Sequence, residues 1–143
     1  MFSLFRQNQR GFTLIELLIT IVIVGFLAAM AIPRFMRAST KSKQSEAKQL
    51  LKQLYTMERQ YLIENNTFWG AGVIGSAAAP GSFETIMVEI GPTAIYTYTI
   101  NTADDADLLI TATCGILDDD VNVDTWTIDQ GGDLICTSND AEF

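Results

Sequence analysis

The side chains whose types and spacing suggest ion binding lie in the C-terminal third of the chain. Four of them alternate and a fifth follows: Asp118, Asp120, Asn122, Asp124 and Asp129. Calcium prefers several oxygen ligands, and alternate positions of a curled loop can supply them. The pattern departs from an EF-hand loop because Val123 stands where that loop has glycine, and Thr125–Asp129 also has the alternation of a strand. It predicts either a calcium site or an acidic surface loop.

Two cysteines, Cys114 and Cys136, lie well beyond the most apolar part of the chain. If this region is exported, a disulfide is expected, whereas in a cytosolic protein the two would be free thiols. A bridge enclosing Gly115–Ile135 would stabilise the fold by roughly 3 kcal/mol on the chain-entropy description.

Histidine is absent from the sequence. The commonest general base and the commonest metal ligand are therefore missing, which excludes a Ser-His or Cys-His nucleophilic site within this chain. A membrane-anchored enzyme that uses paired carboxylates is an alternative, but no activating base or cleft-forming length is visible. We expect no enzymatic activity and no cofactor other than calcium.

The charged residues divide the chain into two parts of opposite sign. All nine lysines and arginines lie between Arg6 and Arg59, whereas residues 60–143 contain 14 of the 17 acids. Such asymmetry indicates different environments for the two parts. The acidic part has no cation to neutralise phosphates, so we expect no direct nucleic-acid binding by its surface.

An apolar run, Phe12–Pro33, follows the short basic segment Met1–Arg10 and Gly11. It contains one charge, Glu16, and is long enough to span a bilayer, which needs about 20 apolar residues. The alternative is a secretory signal peptide cut near Ala28–Ala31, although such peptides have a shorter apolar core. Because the run is long and the helical pattern continues beyond it, we expect the span to be retained.

From Arg34 onward the apolar pattern becomes that of an amphipathic helix. Apolar residues recur three and four positions apart: Ala47, Leu50, Leu51, Leu54, Tyr55, Met57, Tyr61 and Leu62. This spacing predicts one buried helix face. One helix is predicted over 12–64, with an apolar part 12–33 that is long enough to span a membrane and an amphipathic part 34–64. Gly25 and Pro33 are its weak points, since proline removes a backbone hydrogen bond, and we predict a kink there.

Residues 65–143 are predicted to form a small antiparallel β-sheet head against that helix face. Thr67–Glu84 is rich in Gly, Ala, Ser and Pro and is predicted to be a loop. Alternating runs then predict five strands: Ile86–Ile90, Ile95–Ile100, Leu108–Cys114, Thr125–Asp129 and Leu134–Thr137. Gln130–Asp133 has the composition of a hairpin turn. The predicted fold class is α+β.

The start of the apolar run resembles the processing motif of type IV prepilins. The resemblance is carried by Gly11-Phe12-Thr13-Leu14-Ile15-Glu16 and the following Leu17-Leu18-Ile19, and it covers about residues 10–35. It implies that a prepilin peptidase removes the leader 1–11 and methylates the new N-terminus, Phe12. It also implies the pilin fold, with a C-terminal disulfide loop formed by Cys114 and Cys136. Pseudopilins of type II secretion share this segment, so the motif identifies the superfamily and not the branch.

Glu16 acquires a specific role under this resemblance. A charged side chain near the centre of a membrane helix costs roughly 3 kcal/mol on insertion scales, and less near one end, so Glu16 needs a partner. Cleavage would create an α-amino group on Phe12 that is largely protonated near neutrality. Within one helix the two groups could face each other; between helices, the amine of one subunit could neutralise Glu16 of the next. The family is thought to use the second arrangement, and we expect Glu16 to set the assembly register.

Gly25 and Pro33 match the places between which the helix of this family can melt in the filament. The resemblance therefore implies a helix break between these two residues after assembly.

The basic residues after the span oppose the orientation that the resemblance implies. The leader has two basic residues, whereas five follow the span closely: Arg34, Arg37, Lys41, Lys43 and Lys48. The positive-inside rule would place the C-terminal part in the cytoplasm, whereas the resemblance and the cysteine pair place it outside. We follow the resemblance. The basic segment 34–59 is expected either to be a solvated helix face or to dock the acidic heads of neighbouring subunits.

The resemblance implies a structural subunit of a type IV pilus for adhesion and motility. The alternative is a pseudopilin of a type II secretion system. Expected partners are other pilin subunits, prepilin peptidase and the inner-membrane assembly platform. The expected location is the bacterial inner membrane, as a single-pass protein, and then an extracellular pilus.

Overall fold

The computed structural model describes residues 11–115, 117 and 122–139. The chain divides into two compact units between Met36 and Arg37. A single helix, α1 (Leu14–Asn65), contributes to both units. The predicted long helix is therefore confirmed, and it begins two residues later than the sequence suggests.

The first unit presents an apolar helix surface with no covering partner. Its large side chains are mostly more than half exposed, from Leu14 at 86% to Phe35 at 76%. By length and composition, α1 can cross a membrane, and its most apolar stretch is not buried at all within the structure.

The second unit begins with the amphipathic part of α1. The buried stripe of this part consists of residues four and three apart: Thr40, Gln44, Ala47, Leu51, Leu54 and Glu58. Leu50, Tyr55 and Met57 flank the stripe and are partly buried against the same core. The predicted buried face is thus confirmed, but half of the stripe is polar. Apolar periodicity alone identifies only its middle.

α1 ends where its last turn acquires local hydrogen bonds. The Asn66 amide donates to the Leu62 carbonyl (2.8 Å), and the Asn65 side chain donates to the Tyr61 carbonyl (3.1 Å). Asn66 has a φ of 59°, the left-handed conformation that asparagine tolerates at helix ends. The helix thus ends one residue beyond the predicted end at 64.

Five antiparallel strands form one sheet in the order of the sequence. Their bounds are β1 (Ile74–Gly75), β2 (Thr97–Ala103), β3 (Leu108–Cys114), β4 (Asp124–Asp129) and β5 (Leu134–Ser138). β3 has the alternation expected of a sheet with one covered face, since Leu108, Ile110 and Ala112 are buried. Those side chains and the apolar residues of the buried stripe form one core. The α+β fold is confirmed.

The prediction of a first strand at Ile86–Ile90 is wrong. Glu84–Ile86 is a 3-10 helix, Met87 adopts a left-handed φ of 56°, and Val88 forms only an isolated bridge with Phe83. The alternation reflects a loop that buries Ile86, Val88 and Ile90 in the core without pairing in the sheet.

The short strand β1 lies inside the region predicted to be a loop. Gly75 allows it, because a Cβ there would lie 2.4 Å from the ring of Phe83 and 2.6 Å from Ile90. The predicted hairpin turn at Gln130–Asp133 is confirmed: the Gly132 amide donates to the Asp129 carbonyl at 3.0 Å.

Candidate functional site

Thr13 and Glu16 form a reciprocal cap at the start of α1. Glu16 Oε2 accepts hydrogen bonds from the Thr13 amide (2.8 Å) and the Thr13 hydroxyl (2.7 Å). The Glu16 amide donates to Thr13 Oγ1 at 3.3 Å. This is a capping box, which satisfies two helix amides that otherwise have no partner. The Thr-x-x-Glu spacing of Thr13 and Glu16 is the signal in the sequence for this cap.

The second carboxylate oxygen of Glu16 remains available. Within residues 11–115, 117 and 122–139, Oε1 has no hydrogen-bond partner, and the side chain is exposed. Since Oε2 takes both bonds from Thr13, Glu16 can cap its own helix and still accept a proton donor from another molecule.

Gly11 and Phe12 lie immediately ahead of this cap and outside the helix. Among the residues that the structure describes, no atom lies within 4 Å of the position that a Cβ on Gly11 would occupy, and Phe12 is 87% exposed. The described residues therefore leave the peptide bond between them open. Residues 1–10 of the predicted leader lie outside the described part of the chain.

Gly25 and Pro33 do not interrupt α1 in the single chain. The helix runs continuously from Leu14 to Asn65 with Pro33 inside it. A Cβ on Gly25 would meet nothing within 4 Å, so packing does not require glycine there. The helix break at these residues stays a prediction for the assembled state.

The structure differs from the predicted disulfide. Cys114 and Cys136 are not bridged to each other. Cys114 on β3 pairs with Asp124 on β4, and Cys136 on β5 pairs with Trp126 on β4. Two strand spacings amount to about 10 Å, whereas disulfides need Cα atoms within about 7 Å. The intervening strand β4 therefore keeps the two thiols apart.

Asp124, a predicted calcium ligand, is instead the centre of a buried hydrogen-bond network. Its side chain is fully buried. Oδ1 accepts from Gln44 Nε2 (2.8 Å), and Oδ2 accepts from the Tyr96 hydroxyl (2.5 Å) and Trp126 Nε1 (2.8 Å). The network joins β4 to α1 and to the segment before β2. Burial and the contact with Asp124 raise the pKa of Tyr96.

The predicted calcium set does not converge in the structure. Asp124 and Asp129 stand at opposite ends of β4, about 16 Å apart at the usual strand rise. One ion, with ligands at about 2.5 Å, cannot bind both. Asp129 Oδ1 instead accepts the amides of Gly131 (2.9 Å) and Asp133 (3.0 Å) in the hairpin turn.

Of the other predicted calcium ligands, the structure describes only Asn122. Asn122 is exposed, while Asp118 and Asp120 lie outside the described residues. Among the residues that the structure describes, no group of three His, Cys, Asp or Glu side chains is arranged to hold a metal.

Some basic side chains of the segment 34–59 contact the head of their own chain, and others are exposed. Lys43 donates to the Leu117 carbonyl at 2.9 Å, and Lys48 Nζ lies 3.9 Å from the centre of the Trp126 ring. Both are half-buried against the head of their own chain. Lys41, Lys52 and Arg59 are exposed. Sequence alone cannot separate these classes, because the separation depends on which side of α1 the sheet covers.

The comparisons with known proteins concern mainly the N-terminal half. Residues 6–32 match the family described as the prokaryotic N-terminal methylation motif. The chain is 47% identical over 81 residues to the type IV major pilin protein PilA of Myxococcus xanthus, an alignment that covers 56% of this chain and 37% of that protein. It is 36% identical over 101 residues to the type IV major pilin protein PilE of Neisseria gonorrhoeae, covering 66% and 58%.

A pseudopilin-type relative is also similar. The type II secretion system core protein G of Pseudomonas aeruginosa is 37% identical over 60 residues, which cover 42% of each chain. This chain spans 37% of the length of the first pilin and 58% of the second. The methylation motif at residues 6–32, the long apolar helix and the antiparallel sheet head agree with one another and fit the α+β pilin fold.

Proposed function

We propose that this protein is a structural subunit of a type IV pilus, assembled through the apolar part of α1. The observation that carries the proposal is a capped helix whose apolar side chains are uncovered, directly after an open Gly11–Phe12 bond. A contiguous exposed apolar surface of this size marks a membrane or protein contact. The precursor would use it in the inner membrane, and the fibre would bury it between subunits.

Processing would precede assembly. Prepilin peptidase would cut after Gly11 and methylate Phe12, and both residues precede the first turn of α1. Cleavage there leaves Thr13 and Glu16 intact, so the cap of the mature helix is preserved. The inner-membrane assembly platform would then extract the subunit into the fibre.

Glu16 would set the register between subunits. Its Oε2 caps its own helix, and its exposed Oε1 can accept the protonated amine of Phe12 from a neighbour. A hydrogen bond to a charged group contributes about 1.5–3 kcal/mol, more than a neutral one. One amine and one free carboxylate oxygen per subunit would give each chain one donor and one acceptor along the fibre.

The exposed cations of α1 would contribute a second, weaker contact. Lys52 and Arg59 are exposed, and residues 60–143 carry acids and no lysine or arginine. These cations can therefore face the acidic heads of neighbouring subunits. Lys43 and Lys48 already contact their own head and would contribute little.

A pseudopilin is the second candidate, because core protein G of a type II secretion system is also similar over 60 residues. A genetic experiment separates the two. Deletion of the gene should abolish the surface filaments that shearing releases from wild-type cells. Adhesion and motility should be lost with them, while secretion continues. Loss of secreted enzymes with filaments intact would identify the pseudopilin instead. Neither candidate requires catalysis by this chain.

A further inference from the structure

Glu58 is the one carboxyl group of the buried stripe of α1. Its side chain has no exposed surface. Oε2 accepts a hydrogen bond from the Trp69 amide at 2.8 Å. Oε1 is buried and has no hydrogen-bond partner among the residues that the structure describes. An acid in this position is costly to ionise, because the buried charge would have a single backbone donor among the described residues.

The Trp69 amide belongs to the segment that leaves the helix, residues 67–73. Three backbone bonds attach this segment to β2 or just beyond it: Phe68 N to the Asp104 carbonyl (3.1 Å), Gly72 N to the Ile100 carbonyl (2.7 Å) and Ile100 N to the Val73 carbonyl (3.0 Å). Glu58 attaches the same segment to α1. Gly70 and Gly72 have φ of 79° and 82°, which other residues rarely adopt. The segment therefore has a defined conformation that depends on contacts on two sides.

No opposite charge compensates Glu58. Burial raises its pKa to about 7, and the Trp69 amide opposes this rise only in part. The buried hydroxyls of Tyr96 and Tyr98 respond to other groups: burial, Glu46 and Cys114 raise the pKa of Tyr98, and burial and Asp124 raise that of Tyr96. No cation that faces Glu58 lowers its pKa.

We propose that Glu58 is a proton-dependent contact between α1 and residues 67–73, closed when its carboxyl group is neutral and loosened when it ionises. Ionisation places a charge where one oxygen has no donor. Moving residues 67–73 away admits water and relieves that cost. The half-exposed Trp69 moves with the segment, so protonation controls the surface directly after the helix.

The sign of the pH dependence follows from the raised pKa. The folded head keeps its proton up to about pH 7, whereas an ordinary glutamate loses it near pH 4.5. The folded state thus binds more protons between these values, so the stability of the contact falls as pH rises through this window. Below pH 4.5 the contact has its full stability, and above pH 7 the decrease in its stability is complete.

The test uses the full-length protein in detergent micelles, labelled with nitrogen-15 at tryptophan. We expect the Trp69 amide resonance to titrate with a midpoint near pH 7, while the Trp126 amide is the internal reference. Protection of the Trp69 amide from hydrogen exchange, corrected for intrinsic rates, should fall on the order of 100-fold between pH 5 and pH 8.5.

Glu58→Gln keeps an oxygen acceptor for the Trp69 amide and cannot ionise. It should abolish the titration and hold the amide protected at every pH. Glu64→Gln, an exposed glutamate on the same helix, should leave the titration unchanged. An invariant Trp69 amide in the wild-type protein overturns the proposal whether or not the variant folds. An unchanged titration in Glu58→Gln overturns it as well.

Discussion

Thr13 and Glu16 are joined by reciprocal hydrogen bonds across the first turn of α1, so one carboxylate oxygen closes the helix while the other remains exposed. Glu16 therefore has two separable roles, a local cap and a contact with another subunit. Two substitutions distinguish them. Glu16→Gln keeps the capping interaction, since glutamine also serves in a capping box, but removes the charge.

Glu16→Gln should reduce filament recovery by at least roughly tenfold, because loss of a charged hydrogen bond costs about 1.5–3 kcal/mol and each 1.4 kcal/mol is tenfold. Membrane insertion and cleavage should persist. Thr13→Ala removes the capping hydroxyl, which costs about 1 kcal/mol of helix stability. It keeps the Glu16 carboxylate, so its filaments should form. Quantifying sheared filaments checks both variants. Wild-type yield from Glu16→Gln would refute the register role.

Asp124→Asn should destabilise the head by about 2–4 kcal/mol, since an amide nitrogen would replace an oxygen that now accepts buried donors. Urea unfolding followed by tryptophan fluorescence measures the change. Asp105→Asn, an exposed substitution, serves as the control and should be neutral. Equal stability of the two variants would contradict the role of Asp124 as the centre of the network.

Calcium should leave the thermal midpoint of the head unchanged. Asp124 is occupied by internal donors and Asp129 by the hairpin turn, at the other end of β4. Melting curves with calcium and with a chelator should coincide. A rise of several degrees in calcium would mean that residues 118–124 bind the ion in a different arrangement.

The cysteines should react separately with an alkylating reagent. Cys136 is half-exposed and should be modified in the folded protein, whereas the buried Cys114 should react only after unfolding. Mass spectrometry without reductant should find both modified. A Cys114–Cys136 crosslink resistant to alkylation would show that β4 is displaced in the exported protein.

Lys52→Ala and Lys48→Ala are matched variants that test the electrostatic contact between subunits. Lys52 is exposed, so Lys52→Ala should make filaments dissociate at lower salt concentration. Lys48 lies over the ring of Trp126, so Lys48→Ala should lower head stability by about 0.5–1 kcal/mol with little effect on the salt dependence. Filaments indifferent to ionic strength would exclude this contact.

The sequence predicted the elements whose patterns are local. Leu108–Cys114 matches β3 at both ends because its alternation reflects one covered face. The alternation at Ile86–Ile90 wrongly predicted a strand, because a loop can bury every second side chain without pairing in the sheet. Local pattern therefore identifies burial better than it identifies hydrogen-bonding partners.

The polar interior was harder to predict, because its partners are distant in sequence. Gln44 and Asp124 are 80 residues apart, and Glu58 contacts a backbone amide beyond the helix end. The positions of Gln44 and Glu58 on the buried stripe, at helical spacing from Leu51 and Leu54, are a usable signal in the sequence. The acidic pattern around Asp124 suggested metal binding because composition does not reveal which way a strand residue faces.

The N-terminal residue of the subunit in sheared surface filaments tests the account most directly. Cleavage of the bond between Gly11 and Phe12 predicts that intact-mass and terminal-peptide analysis will find N-methylated Phe12 first, followed directly by Thr13 and Glu16 of the helix cap. A filament subunit that begins at Met1, or at a residue beyond Ala31, would contradict it.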